Sequence, residues 1–373
     1  MKKETITMNK IDKQNNDFEE YIRQVEPDKK EKGLIWQTAI GLQQVDGLKP
    51  SAYLIETAKQ NIEGDITFDE VKSRIDTYYE QQRRGEPAYP PDDRTEEADK
   101  VSARIAEILS EKTFTFSSLW YINIHRRLFT GSYKFAGKIR DYNITKNEWA
   151  LNGKTVFYSD ADMIIATLDY DFQQEKASNY KKMSKTEIVE HIAKFISGLW
   201  QIHAFGEGNT RTTAVFAIKY LRTFGFEVEN DMFAQHSWYF RNALVRANYN
   251  DLKNKIHATT EYLMHFFGNL LLGENNVLKN RELHINYDFQ SAKEQEKETS
   301  KSKICTLDCT LEEHFVLDFI KNNPNATQKE IAAHIHKSER TVKTITINLQ
   351  QKNLLARKNG KRNGYWEVVA ITN

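Results

Sequence analysis

One run of residues, Ile202-His-Ala-Phe-Gly-Glu-Gly-Asn-Thr-Arg-Thr-Thr213, constrains the fold more than any other. Between His203 and Arg211 it holds a histidine, a carboxylate, a Gly-Asn turn and an arginine, with apolar helical patterns on both sides. Upstream, Ile188, Ile192, Phe195, Leu199 and Ile202 recur at helical spacing behind a capping box from Ser184 to Glu187. Downstream, Thr212 to Phe224 is mostly apolar, interrupted by Lys219 and Arg222 and closed by Gly225. The run therefore predicts helix, tight polar loop, helix, with the loop feeding the second helix's N-terminus. A helix N-terminus behind a Gly-Asn turn offers backbone N–H groups to an anion. A phosphate site that also has a base and a carboxylate points to phosphate chemistry.

The 373 residues around this run suffice for two or three domains, each with its own core. Apolar residues make up 39% and charged residues 28%, and the net charge of +1 gives no whole-chain field for nucleic acid, so any basic surface must be local. Cys305 and Cys309 are too few for a disulfide framework or a cysteine-rich zinc site, which fits a reducing compartment. We take the pair as structural or incidental. No apolar run approaches membrane-spanning length, and the opening Met-Lys-Lys-Glu-Thr-Ile-Thr has no apolar stretch behind its charges. The expected setting is the cytoplasm, with no membrane partner.

In chain order, the pattern is mainly α. Residues 1 to about 32 read as a polar tail. Gly33 to Tyr79 is helical, broken at Asp46-Gly47 and Glu63-Gly64, with Pro50 in a helix first turn and a capping box from Thr67 to Glu70. Pro87, Pro90 and Pro91, three of the six prolines, cluster between Arg83 and Asp93 and mark a linker. Residues 94–273 are helical except from Phe135 to Tyr158, where β-branched and aromatic residues around Asn152-Gly153 predict a β-hairpin flap. A Lys-, Glu-, Gln- and Ser-rich stretch at 274–306 reads as a second linker. The last segment, 307–373, predicts three helices. The first carries Phe315, Val316, Phe319 and Ile320, the second opens at the Thr327–Glu330 capping box, and the third turns Val342, Ile345 and Leu349 inward behind Ser338. A hairpin around residues 359–364 follows, which suggests a winged helix-turn-helix. The expected domains are 1–93, 94–273 and 307–373.

Taken singly, the loop residues each allow two readings. His203 is a general base for a hydroxyl or a capping histidine. Glu207 is a ligand for a magnesium ion shared with phosphates, or a solvated loop acid. Gly208 and Asn209 aim N–H groups at phosphate, or simply start a helix. Arg211, badly placed for the helix dipole, wants an anion or is a surface cation. The spacing makes the set informative.

That set, His203-Ala-Phe-Gly-Glu-Gly-Asn-Thr-Arg211, resembles the signature of the Fic family, His-x-Phe-x-(Asp/Glu)-Gly-Asn-Gly-Arg-x-x-Arg. The resemblance reaches upstream through His125, Leu128-Phe129, Ala136-Gly137, Arg140 and Asn143 to Lys146. It implies a Fic-type helical bundle that transfers AMP from ATP to a Ser, Thr or Tyr hydroxyl of a protein. By that resemblance His203 deprotonates the hydroxyl, and Glu207 holds Mg2+. Gly206, Glu207, Gly208, Asn209, Thr210 and Arg211 contact the nucleotide. The flap with Lys146, Thr155 and Val156 docks the target as an added strand. Two departures stand out. Thr210 replaces the family's second glycine, and Ala214 its second arginine, the partner of the γ-phosphate. Losing a charge-assisted hydrogen bond of roughly 1.5–3 kcal/mol lowers nucleotide affinity about tenfold to a hundredfold.

The N-terminal unit resembles the family's antitoxin-like module, in which a Glu-Gly pairs with that second arginine and blocks ATP. Asp46 and Glu63 are the candidates, Asp46 fitting the order of turns better. With alanine at 214, inhibition by this route is expected to be weak. In the last segment Arg340 to Trp366 holds no acid. Arg340, Lys343, Lys361 and Arg362 are its candidate DNA contacts, and protein binding or dimerisation is the other use of such a fold. Two alternatives to AMP transfer remain: a nucleotide-responsive transcriptional regulator with a weak Fic site, or transfer of a different phosphate-containing group. A homo-oligomer is compatible with either.

Overall fold

A computed structural model describes residues 17–84, 93–226, 228, 231–287, 311–335, 337–352, 354–358 and 364–369. The chain is mainly helical, as expected, and falls into two compact units, Met1–Tyr287 and Asp288–Asn373. In the first unit residues 17–24 are helical, and the helices that follow are α1 (Pro27–Gly41), α2 (Ala52–Glu63), α3 (Phe68–Arg84), α4 (Asp93–Ser110), α5 (Ser118–Phe129), α6 (Ile164–Ala177), α7 (Lys185–Ile202), α8 (Asn209–Arg222), α9 (Asp231–Gln235), α10 (Ser237–Ala247) and α11 (Glu261–Leu272).

Helix α8 is the axis of this unit. Every residue from Asn209 to Leu221 is buried, as a helix enclosed on all sides requires. That enclosure takes in Lys219, which donates to the carbonyls of Ile108 (3.2 Å) and Glu111 and whose ammonium burial pushes down to about 8. Helix α7 opens on the expected Ser184–Glu187 capping box, and the Thr67–Glu70 bonds are present as well. Pro50 falls before the first turn of α2, because Ser51 takes the cap and accepts from the Leu54 N–H at 3.1 Å.

One continuous core runs through α1 to α11. Trp36, Leu54 and Ile75 lie in the same cluster as Ile105, Leu128, Phe205, Phe216 and Phe267. The stretch expected as 1–93 thus shares its apolar interior with 94–273. Residues 274–287, expected to be linker, also pack: Leu283 is fully buried and the Ile285 N–H donates to the Ala150 carbonyl at 2.8 Å.

The expected β-hairpin between Phe135 and Tyr158 is absent; the segment holds no strand. Asn152 (φ 53°) and Gly153 (φ 81°) do make a tight turn, closed by Glu148 N–H to Lys154 O at 3.0 Å. A ladder does not follow, for two reasons. Trp149–Leu151 coils into a short 3-10 turn that buries Ala150 and Leu151. The buried Arg140 also takes the carbonyls of Tyr142 (2.6 Å), Ser159, Ile202 (3.3 Å) and His203 (2.7 Å).

The second unit has helices α12 (Leu311–Asn322), α13 (Gln328–His334) and α14 (Glu339–Gln351), then an antiparallel pair β1 (Leu355–Lys358) and β2 (Tyr365–Val368) with Leu355 opposite Val368. The Thr327–Glu330 capping box and the Ser338 cap are present, and Val316, Ile320, Ile331, Val342, Ile345, Leu349 and Trp366 form its core. Residues 1–16 and 85–92, Cys305, Cys309, Lys361 and Arg362 lie outside the described residues, as does the side chain of Arg340.

Candidate active site

The loop between α7 and α8 is built by side chains that hold its backbone. Asn209 accepts from the Phe205 N–H (3.0 Å) and donates to the Phe205 carbonyl (2.7 Å), so its amide closes the turn and is not available to phosphate. Only its place in the first helical turn is left for that role. Phe205 is stacked on His125 with ring centres 3.7 Å apart. The Gly137 N–H donates to His125 Nδ1 at 2.9 Å, which leaves Nε2–H to donate to the Glu207 carbonyl at 3.0 Å. Burial pushes His125 down to about 4, so the ring is neutral. Gly208 caps α8 at φ 79°, and a Cβ there would meet the Phe129 ring at 2.4 Å. Because glycine brings no side chain to cap the helix, the first turn of α8 presents uncapped N–H groups, an anion site.

His203 ends α7 in the left-handed region (φ 49°, ψ 56°), held there by Arg140 on its carbonyl. Its ring packs on Tyr158 (4.1 Å between centres) and edge-on to Trp200 (5.4 Å). Nδ1 is buried without a hydrogen-bond partner. Burial above all, then the charges of Lys146, Arg140 and Arg241, hold the imidazole well below its ordinary range. The ring is therefore neutral and can accept a proton, although the same burial makes it a weaker base than a free imidazole.

His203, Glu207, Gly208, Asn209 and Thr210 converge on a cavity of about 40 Å3. Thr210 is buried, and its hydroxyl accepts from Trp200 Nε1 at 3.0 Å. Gly206 is screened by Tyr142 and Phe135, and its carbonyl accepts from Lys146 Nζ at 3.3 Å. The Glu207 carboxylate is exposed and ion-paired with Lys146, which ties the flap to the loop. Thr155 accepts from the Lys146 N–H at 3.1 Å, whereas Val156 is buried, so its side chain is not available to a docked target.

With alanine at 214, the N-terminal residues have no second arginine to meet; the structure turns them onto the first arginine instead. A short 3-10 helix, Leu42–Asp46, follows α1 and turns Gln43 and Asp46 onto the first arginine. Arg211 is buried against Asp46 (Nε–Oδ2 2.8 Å, too poorly aligned for a hydrogen bond), Glu97 (2.6 Å), Gln43 (3.1 Å) and the Tyr133 hydroxyl (3.3 Å), with its guanidinium over Phe129. Ala214 is fully buried. Glu63 lies away from this site, bound to Tyr21 (2.5 Å) and Lys29 (2.6 Å).

Sequence reasoning missed Glu97, Glu148 and Arg241. Arg241 and Glu148 line the cavity beside His203 and pair at 2.7 Å. An adjoining cleft of about 460 Å3, large enough for a nucleotide, is lined by Asp46, Glu97, Trp149, Glu207, Arg211, Trp238 and Arg241. Nothing in the sequence marks one arginine of an amphipathic helix.

This loop geometry is not isolated. Residues 115–221 match the model of the Fic/DOC family. The matched Fic/DOC region runs from the approach to α5 nearly to the end of α8, and so includes His125, Arg140, the flap and the loop. No curated protein sequence matches the chain. Among solved structures, a Fic family protein from Desulfovibrio desulfuricans is similar, with 11% identity over 98% of this chain and 96% of that one and a TM-score of 0.40. Among the described residues no helix is long and apolar enough to cross a membrane, and no group of three or more His, Cys, Asp or Glu is placed to hold a metal by itself.

In the second unit, Lys343 is exposed on α14. Lys352 pairs with Glu313 (2.8 Å) and Lys358 with Glu367 (3.0 Å), so acids outside the basic run neutralise part of it.

Proposed function

We propose that the chain is a protein adenylyltransferase of Fic type. The observation that carries this reading is the neutral His203, with a buried unpartnered nitrogen, at one cavity with the uncapped N-terminus of α8. A Ser, Thr or Tyr hydroxyl of the target gives its proton to His203, and its oxygen attacks the α-phosphorus of ATP. The bond between the α-phosphorus and the bridging oxygen breaks, pyrophosphate leaves, and AMP stays on the target as a phosphodiester. Backbone N–H groups at the start of α8 take up the charge on the transferring phosphoryl group. Glu207, an exposed carboxylate beside both cavities, suits a Mg2+ ion that draws its other ligands from phosphates and water. That ion would neutralise phosphate charge. Incubation of the full chain with α-labelled ATP and Mg2+ is expected to label the protein or a lysate target, and His203→Ala to abolish the label. Absence of label from every protein would sink the reading.

The Asp46–Glu97–Arg211 cluster favours a second reading, in which the second unit binds DNA and the Fic-type loop reports nucleotide without transferring it. DNA retardation that responds to ATP and survives His203→Ala would select this reading over the first.

A further inference from the structure

Besides the Mg2+ ion that Glu207 suits, the phosphates beyond the α call for a side-chain cation, and α8 does not provide one freely. Position 214 is a fully buried alanine, and Arg211 is already held by Asp46 and Glu97. We infer that Arg241, from α10, contacts the β- or γ-phosphate of the nucleotide and takes the place of the arginine missing at 214. This inference rests on the nucleotide reading of the site.

Arg241 borders both spaces such a ligand would cross. It lines the small cavity with His203, Gly208 and Thr210, and the larger cleft with Arg211 and Trp238. Its guanidinium lies 5.2 Å from the Trp238 ring centre, and one nitrogen approaches Glu148 at 2.7 Å. Among the described residues Glu148 is the one acid paired with Arg241, through one nitrogen, whereas Arg211 is paired with both Asp46 and Glu97, so the other donors of the Arg241 fork can face a ligand. Glu148, 1% exposed and accepting from Tyr158 at 3.1 Å, fixes the arginine from behind. An arginine oriented by a buried carboxylate and stacked on an indole is arranged to bind phosphate without first being ordered.

The test is equilibrium binding of ATP and of AMP, with Mg2+, to the full chain and two variants. Arg241→Ala removes the cation. Arg241→Gln with Glu148→Gln removes both charges, so no buried carboxylate is left unpaired, and it serves if the single variant does not fold. Loss of a charge-assisted hydrogen bond is expected to raise the Kd for ATP about tenfold to a hundredfold and to leave that for AMP within about twofold. Unchanged ATP affinity, or equal losses for ATP and AMP, would overturn the inference while leaving the proposed function standing. If the unmutated chain binds neither nucleotide, the proposed function fails and takes the inference with it.

Discussion

His203 and His125 are both held neutral by burial, for different ends. His203 keeps a ring nitrogen open to a proton, whereas both nitrogens of His125 are used to brace the loop. The bracing has a consequence for stability. An unfolded histidine takes up a proton below about pH 6.5, while folded His125 stays neutral down to about 4. Between those values the unfolded state binds the extra proton, so stability present above pH 6.5 is lost as the pH falls. At pH 5 the loss from this residue is roughly 2 kcal/mol relative to pH 7. Denaturant unfolding at the two pH values should show it, and His125→Asn should flatten the pH dependence by about that amount although it lowers stability at pH 7. An unchanged slope in the variant would mean that His125 is not the group being titrated.

Among the elements, the short helix Leu42–Asp46 is the N-terminal piece that packs on the site. It covers Arg211 with Gln43 and Asp46, while Glu63 on α2 is engaged elsewhere. Asp46→Ala is expected to increase ATP binding and labelling severalfold, whereas Glu63→Gln should leave both unchanged. Equal effects of the two would remove the special role of Asp46. The sequence made the loop legible because its constraints are local: a capping box, a left-handed helix end and a glycine cap follow from neighbouring residues. It also singled out Asp46, but through the arginine that would have stood at 214, and the actual partner is Arg211. That pairing joins residues far apart in the chain, and no local pattern encodes it. The flap shows the opposite failure. Asn152-Gly153 turns as expected, yet a buried arginine at 140 and two buried apolar residues override the strand propensity around it. Arg241 and Glu148 reach the site from separate elements, and neither carries a motif.

Across the whole molecule, α1 to α3 are part of the first unit's core and not an appendage. Trp36 is fully buried, a Cβ on Gly41 would lie 2.5 Å from the Ala234 carbonyl oxygen, and the Ser237 hydroxyl donates to the Gly41 carbonyl at 2.9 Å. Residues 1–287 alone are therefore expected to unfold in one cooperative thermal transition, and residues 94–287 alone to show none, since removing α1 to α3 uncovers their shared apolar face. A cooperative transition in the shorter fragment would separate the modules after all. The second unit has a core of its own and should fold as a fragment, in which DNA retardation can be measured directly. Transfer of AMP at His203 is the reaction this site would serve. Intact-mass analysis of the full chain and of lysate proteins, after incubation with Mg2+ and each nucleoside triphosphate in turn, tests it most directly. The expected result is a gain of one AMP with ATP that disappears in His203→Ala; a gain matching phosphate alone, or no gain with any nucleotide, would contradict it.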